Sequence, residues 1–230
     1  MSAAVKLSPE EAQRRLMEIR AAIDEAARAS GRASGDVTLL AVSKTFPPED
    51  IALFLEAGQK DFGESYIQEA REKIPQVPLA ANWHFIGRLQ TNKAKYAARL
   101  FSHVHALDSL ELAAELHKRL IAQDSSVSAF IQVNVSGEES KNGMEPDELP
   151  RFLDALAPFS AVVPVGLMTI PPYDPDPEES RRHFRALYET REKYAPRLPG
   201  LSMGMSGDFQ VAISEGATVV RVGTALFGPR

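Results

Sequence analysis

Short apolar runs alternate with longer runs of helical period along the whole chain. The first helical run follows Ser8, Pro9, Glu10 and Glu11, which offer a capping hydroxyl, a proline suited to the first turn and a glutamate three residues on. Leu16, Ile19, Ile23 and Ala27 then recur at three- and four-residue spacing, and Gly31 supplies a stop, so the pattern predicts an amino-terminal helix. Residues 37–43 read VTLLAVS. A run so short, apolar and β-branched predicts a strand buried on both faces, as in a parallel sheet.

The alternation repeats. Further strands are expected at 60–65, 83–87, 104–107, 129–135, 162–170, 201–205 and 218–223, with helices between them at 47–58, 66–74, 91–99, 108–122, 146–156, 176–194 and 208–215. Eight strands separated by helices argue for an α/β fold, a single TIM-type (β/α)8 barrel with an extra N-terminal helix, spanning 1–230 as one domain. Little chain follows the eighth strand, so the first helix is expected to stand where a final helix would. The alternative is an open doubly wound sheet, but no Gly-x-Gly-x-x-Gly loop follows the first strand. The proline-rich stretch at 171–177 reads as a stiff loop, because a strand precedes it and a capped helix follows.

Composition narrows the function classes. A formal net charge of −5 argues against nucleic acid, which needs a basic face. The one dense basic stretch, Arg88 to Lys95, reads as a solvated helix start, with an anion site as the alternative. The absence of cysteine removes disulfides, thiolate nucleophiles and Cys-ligated metals, and fits a reducing compartment. No signal peptide is visible, and no apolar run approaches the roughly 20 residues needed to cross a bilayer. A cytoplasmic protein without membrane contact is expected.

In a barrel of this kind, function sits at the carboxyl ends of the strands. Those ends carry Lys44, Glu64 with Ser65, Gly87 with Arg88, Asn134, Met168 with Thr169, Ser206 with Gly207, and Gly223 with Thr224. Lys44 shares its side of the first strand with Leu40 and Val42, so it points inward if they do. An inward lysine with a lowered pKa can form a Schiff base, whereas a rim lysine simply reaches solvent. Arg221 lies within the β-branched run VVRV, on the same face as Gly223. Its permanent charge needs an acceptor, which is either a structural carboxylate such as Glu64 or Asp61, or a ligand atom in the barrel mouth. Ser206-Gly207 before a short helix and Gly223-Thr224 after the last strand together suit a phosphate. Ordinary capping explains the first of these but less readily the pair.

Among the histidines, His103 and His105 fall on one face of a strand. With no third ligand at suitable spacing they read as structural rather than metal-binding. His84 alternates with Ile86 and is a candidate for the barrel lining. At this point the residues admit a Schiff-base aldolase as well as a protein holding an aldehyde cofactor.

Seven segments in order carry a resemblance. They are LAVSKT at 40–45, FGESY at 62–66 with Gln68 and Glu69, WHFIGRLQTNK at 83–93, QVN at 132–134 with KNG at 141–143, GLM at 166–168, SMGMS at 202–206, and RVGT at 221–224 with Phe227 and Gly228. Through them the chain resembles the pyridoxal phosphate homeostasis protein family, also called the proline synthase co-transcribed family. That family looks like the barrel half of the alanine racemase fold without the racemase β domain. The resemblance implies that Lys44 holds pyridoxal 5′-phosphate as an imine, that Ser206, Gly223 and Thr224 bind its phosphate, and that Arg221 faces its pyridine nitrogen. Val42, His84, Met168 and Gly207 complete the expected cofactor contacts. Ser65 stands near the ring where the family usually has asparagine.

The resemblance also implies a role. A cation beside the pyridine nitrogen weakens the ring as an electron sink. The second base of the racemases comes from the β domain of a partner subunit, and nothing places Tyr66 or Tyr173 to replace it. The expectation is a carrier and buffer of the cofactor, without catalytic residues or metal, that passes it to apo-enzymes and is a monomer. The alternative is a small amino-acid racemase working with one base.

Overall fold

The computed structural model describes residues 7–78, 81–138 and 142–229. Eight parallel strands close into a barrel in sequence order, β1 (Thr38–Val42), β2 (Asp61–Glu64), β3 (Asn82–Phe85), β4 (His103–Leu107), β5 (Val127–Gln132), β6 (Val162–Met168), β7 (Gly200–Met205) and β8 (Val219–Val222). The helices are α1 (Pro9–Ala29), α2 (Pro48–Glu56), α3 (Ile67–Lys73), α4 (Ala94–Leu100), α5 (Leu110–Ile121), α6 (Leu149–Leu156), α7 (Arg181–Tyr194), α8 (Phe209–Ser214) and α9 (Thr224–Phe227). The barrel, and not the open sheet, is therefore the fold. Most strands are shorter than the apolar runs implied, because the last residues of a run leave the ladder to form the mouth.

The start of α1 follows the capping logic in part. Ser8 Oγ accepts from the Glu11 amide at 3.2 Å, but the Glu11 carboxylate turns to Arg14 and Arg15 and does not complete a capping box. Ser109 caps α5 in the same way, through the Leu112 amide. Helix α1 packs against α2, α8 and α9, so it does stand where a final helix would close the ring. Arg15 fixes it there by donating to the Leu226 carbonyl at 2.9 Å, and Arg32 by donating to Ala217 O at 2.7 Å.

The strands divide their side chains between two cores, as a period of two requires. Ala41, Phe62, Phe85, Val104, Ile131, Leu201 and Val220 face the helices in one large cluster. A smaller cluster of Leu40, Ala106, Phe130, Met168 and Val219 fills part of the barrel interior. Leu40 thus faces inward as expected, and it pairs in register with Arg221 of the neighbouring β8. What remains of the interior is polar, with His84, His105, Ser202 and Arg221 all buried.

Candidate functional site

Lys44 lies two residues beyond the end of β1 and is half-buried. Its two neighbours in sequence are held tightly. Ser43 is fully buried, with its hydroxyl 2.6 Å from Glu64 Oε1 and its carbonyl accepting from Lys73 Nζ at 2.9 Å. The Thr45 amide donates to Glu69, which also pairs with Lys73. Thr45 sits at φ 70°, a left-handed conformation that a β-branched residue rarely adopts and that costs about 1–3 kcal/mol. The side chains of Glu64, Glu69 and Lys73 hold that turn.

Glu64 is completely buried and pairs with Lys73 at 2.9 Å, while its Oε2 meets no hydrogen-bond partner. Burial pushes its carboxyl pKa up, against the opposing pull of Lys73 and Ser43. Glu64 is therefore not the acceptor for Arg221, because it lies on the helix side of the barrel wall with α3. Sequence reasoning missed Lys73, although its i, i+4 spacing from Glu69 on α3 allows an ion pair.

Arg221 is buried inside the barrel. It donates to Ser202 Oγ at 2.7 Å and to the Thr169 carbonyl at 2.9 Å. Neither structural carboxylate named as a partner, Glu64 or Asp61, is in direct contact. Burial pulls its pKa down to about 10, which leaves it a cation at neutral pH. Its in-register neighbours are Leu40 on β1 and Met205 on β7.

Ser206-Gly207 and Gly223-Thr224 do come together. The Gly223 amide donates to Ser206 Oγ at 3.2 Å, while Gly207 and Thr224 are exposed beside them. Gly204 makes this possible. At φ 90° with Ala212 Cβ 2.5 Å from where its own Cβ would stand, it lets β7 pass beneath α8. Helix α8 has six residues and α9 four, so they contribute local N–H donors rather than a developed helix dipole.

The remaining expected contacts spread around the same mouth. Val42 and Met168 are buried, and Ser65 is half-buried. Ser65 and Gly87 are in tight backbone contact, since a Cβ on Gly87 would lie 2.3 Å from Ser65 O. His84 is buried with both ring nitrogens engaged, Nδ1 to His105 at 3.0 Å and Nε2 to Asp61 at 3.2 Å. It also stacks on His103 at 4.1 Å, so the pair His103 and His105 does have near neighbours, because β3 is in register with β4. No group of three His, Asp or Glu residues among the described residues is arranged to hold a metal. Arg88 and Lys95 are exposed, as a solvated helix start would have them. Asn134 bonds to Glu138 O and Glu145 rather than to the mouth, and Lys141 lies outside the described residues. Tyr66 is 54% exposed and Tyr173 87%. No helix among the described residues is long and apolar enough to cross a membrane.

Comparison with known proteins shows similarity over nearly the whole chain. The family described as "Alanine racemase, N-terminal domain" matches residues 16–230. A protein of Aquifex aeolicus named pyridoxal phosphate homeostasis protein is 45% identical over 221 residues, covering 94% of this chain and 97% of that protein. A crystal structure from Bifidobacterium adolescentis superposes with a TM-score of 0.87 at 32% identity, covering 98% of this chain and 99% of that one. The structure of PipY of Synechococcus elongatus PCC7942 with PLP bound superposes with a TM-score of 0.79 at 33% identity, covering 94% and 100% of the two chains.

Proposed function

The chain belongs to the pyridoxal phosphate homeostasis protein family, built on the N-terminal domain of alanine racemase, and from that premise we propose that it binds pyridoxal 5′-phosphate and serves the intracellular balance of that cofactor. The observation that carries the reading is the pairing of Ser206 with Gly223 at 3.2 Å, beside a buried Arg221 and next to the strand that leads into Lys44. The cofactor presents an aldehyde, a pyridine nitrogen and a phosphate dianion, and these donors match it group for group.

In this reading Lys44 is the amine that holds the aldehyde covalently and reversibly. The hydroxyls of Ser206 and Thr224 and the amides of Gly207 and Gly223 hold the phosphate. Gly207 suits this task, since nothing lies within 4 Å of where a Cβ would stand and an anion can approach the backbone. Arg221 donates towards the pyridine nitrogen. Val42 and Met168 are apolar walls, and Ser65 and His84 contribute from the β2 and β3 side. The bound cofactor supplies an electron sink, and a neighbouring guanidinium keeps that sink weak by disfavouring a proton on the ring nitrogen.

We read the chain as a carrier rather than an enzyme. Racemisation in this fold needs a base on each face of the ring, and Tyr66 and Tyr173, the tyrosines considered for the second, are both exposed. The carrier would work in the cytoplasm, as a monomer, and release its cofactor to apo-enzymes. The test is to load purified protein with pyridoxal 5′-phosphate and incubate it with amino acids. Visible absorbance without racemisation, transamination or decarboxylation supports the carrier. Turnover at ordinary enzyme rates, with deuterium entering at Cα, would establish the racemase instead.

A further inference from the structure

Arg221 stands at one end of an unbroken line of hydrogen bonds across the barrel interior. Its Nη1 donates to Ser202 Oγ at 2.7 Å, Ser202 Oγ lies 2.8 Å from His105 Nδ1, His105 Nε2 lies 3.0 Å from His84 Nδ1, and His84 Nε2 lies 3.2 Å from Asp61 Oδ1. Five strands each contribute one link. A guanidinium only donates and a carboxylate only accepts, so with single-proton imidazoles between them the Asp61 end sets the direction of each bond in turn.

Ser202 Oγ accepts from Arg221 on one lone pair, and it gives its O–H to His105 Nδ1 where that ring carries its proton on Nε2. His105 is then neutral with its proton on Nε2, which it gives to His84 Nδ1. His84 accepts that proton at Nδ1 and gives its own Nε2 proton to Asp61. Every proton points away from Arg221. The chemistry of the surroundings agrees, since burial, followed by the nearby His84 and Arg221, holds the His105 pKa well below its ordinary value.

We propose that Asp61, His84, His105 and Ser202 are positioning residues for Arg221, forming a relay that fixes the guanidinium's donor direction and carries the influence of a distant carboxylate to it. The role towards the cofactor rests on the function proposed above, while the relay itself does not. The two ends differ in exposure. Arg221 is buried, whereas Asp61 lines a surface pocket of about 350 Å³ with Arg20, Asp24, Thr38 and Lys60 at the amino-terminal end of the barrel.

The relay is sensitive to one added proton. A proton on His84 Nδ1 forces His105 Nε2 to accept, moves the His105 proton to Nδ1 and leaves the Ser202 O–H without its acceptor. The charged and titratable groups bearing on this event are Asp61 from β2, His103 and His105 from β4, and Arg221 from β8. Asp208 acts on Arg221 from beyond β7.

The experiment has two arms. In cofactor-free protein at pH 7.5, ¹⁵N NMR of the histidine side chains should find His84 and His105 both protonated on Nε2. His105 protonated on Nδ1 overturns the proposal. In protein loaded with pyridoxal 5′-phosphate, the pH midpoint of the cofactor's absorbance change should fall in Asp61→Asn by on the order of half a unit, as for a unit charge removed through protein interior. Asp61→Asn keeps an acceptor, so its tautomers should be unchanged. Ser202→Ala should both shift the midpoint and free the His105 tautomer, and Ser202→Thr should restore both. Identical midpoints in all four proteins overturn the relay. Failure of the wild-type chain to take up the cofactor would instead overturn the function, and the tautomers alone would then decide the relay.

Discussion

The ammonium of Lys73 donates to the main-chain carbonyl of Ser43 at 2.9 Å, one residue before Lys44. It is buried, it also pairs with Glu64 and Glu69, and it spans the gap between α3 and the turn that presents Lys44. A buried ion pair adds little net stability, yet removing one partner leaves a charge stranded. Lys73→Met should therefore destabilise the protein by about 3–5 kcal/mol at pH 8. The loss should shrink at pH 5. Burial already raises the Glu64 pKa, and without Lys73 it rises further, so the variant regains stability as pH falls through that folded value. Urea denaturation at the two pH values checks both claims.

Lys44→Ala should lose the covalent signal of the cofactor but keep part of its affinity. The hydroxyl and amide donors around Ser206 and Gly223 do not involve Lys44, so a phosphate can still be held. Equilibrium dialysis of the variant is expected to show retained binding that is competed by inorganic phosphate. Complete loss would argue against the phosphate cradle.

Ser206→Ala should weaken cofactor binding by about tenfold or more, the value of one hydrogen bond to a charged group. Its effect on folding should be small, since Ser206 is half-buried and its one described bond is to the Gly223 amide. Titration with pyridoxal 5′-phosphate, alongside thermal unfolding, separates the two.

Two glycine substitutions should behave in opposite ways. An alanine at Gly87 meets Ser65 O at 2.3 Å, so the backbone must shift, at about 1–3 kcal/mol. An alanine at Gly207 meets nothing within 4 Å and should leave stability within about 0.5 kcal/mol, yet its methyl should obstruct the phosphate. Stability that falls equally in both variants would contradict this assignment.

Acid should loosen the barrel interior through its buried histidines. Burial is the first cause in both His103, held at about 4, and His105, held well below its ordinary value. Their folded pKa values are depressed, so their contribution is present above the unfolded value near 6.5 and is lost as pH falls towards the folded ones. Stability should decline between pH 6.5 and 4, and His103→Gln should flatten that decline.

Much of this was legible in the chain because it follows from periodicity. Leu40 and Arg221 could be set inward by counting in twos, and Gly223 with Ser206 by noting which strand ends carry donors. The partners of Arg221 were not legible. A buried guanidinium suggests a carboxylate, but Ser202 and the Thr169 carbonyl reach it because β7 and β6 pass that side of the barrel, a fact of three-dimensional register. The same holds for His105. The sequence marks it as structural for want of a third metal ligand, and only the pairing of β3 with β4 sets His84 beside it. The pairing of Lys73 with Glu69 follows from i, i+4 spacing, but its burial was not legible, since a lysine on a short helix has no sequence mark of burial.

The contact between Arg15 and the Leu226 carbonyl joins positions 211 residues apart. Together with the pairing of β1 to β8, it makes ring closure the most non-local event in the molecule. On the ribosome, β1 to β7 can be synthesised while the edge of β1 still waits for its neighbour. The order of synthesis therefore leaves the turn bearing Lys44 beside an open edge until the last strand emerges, and ring closure is set to be a late and slow step.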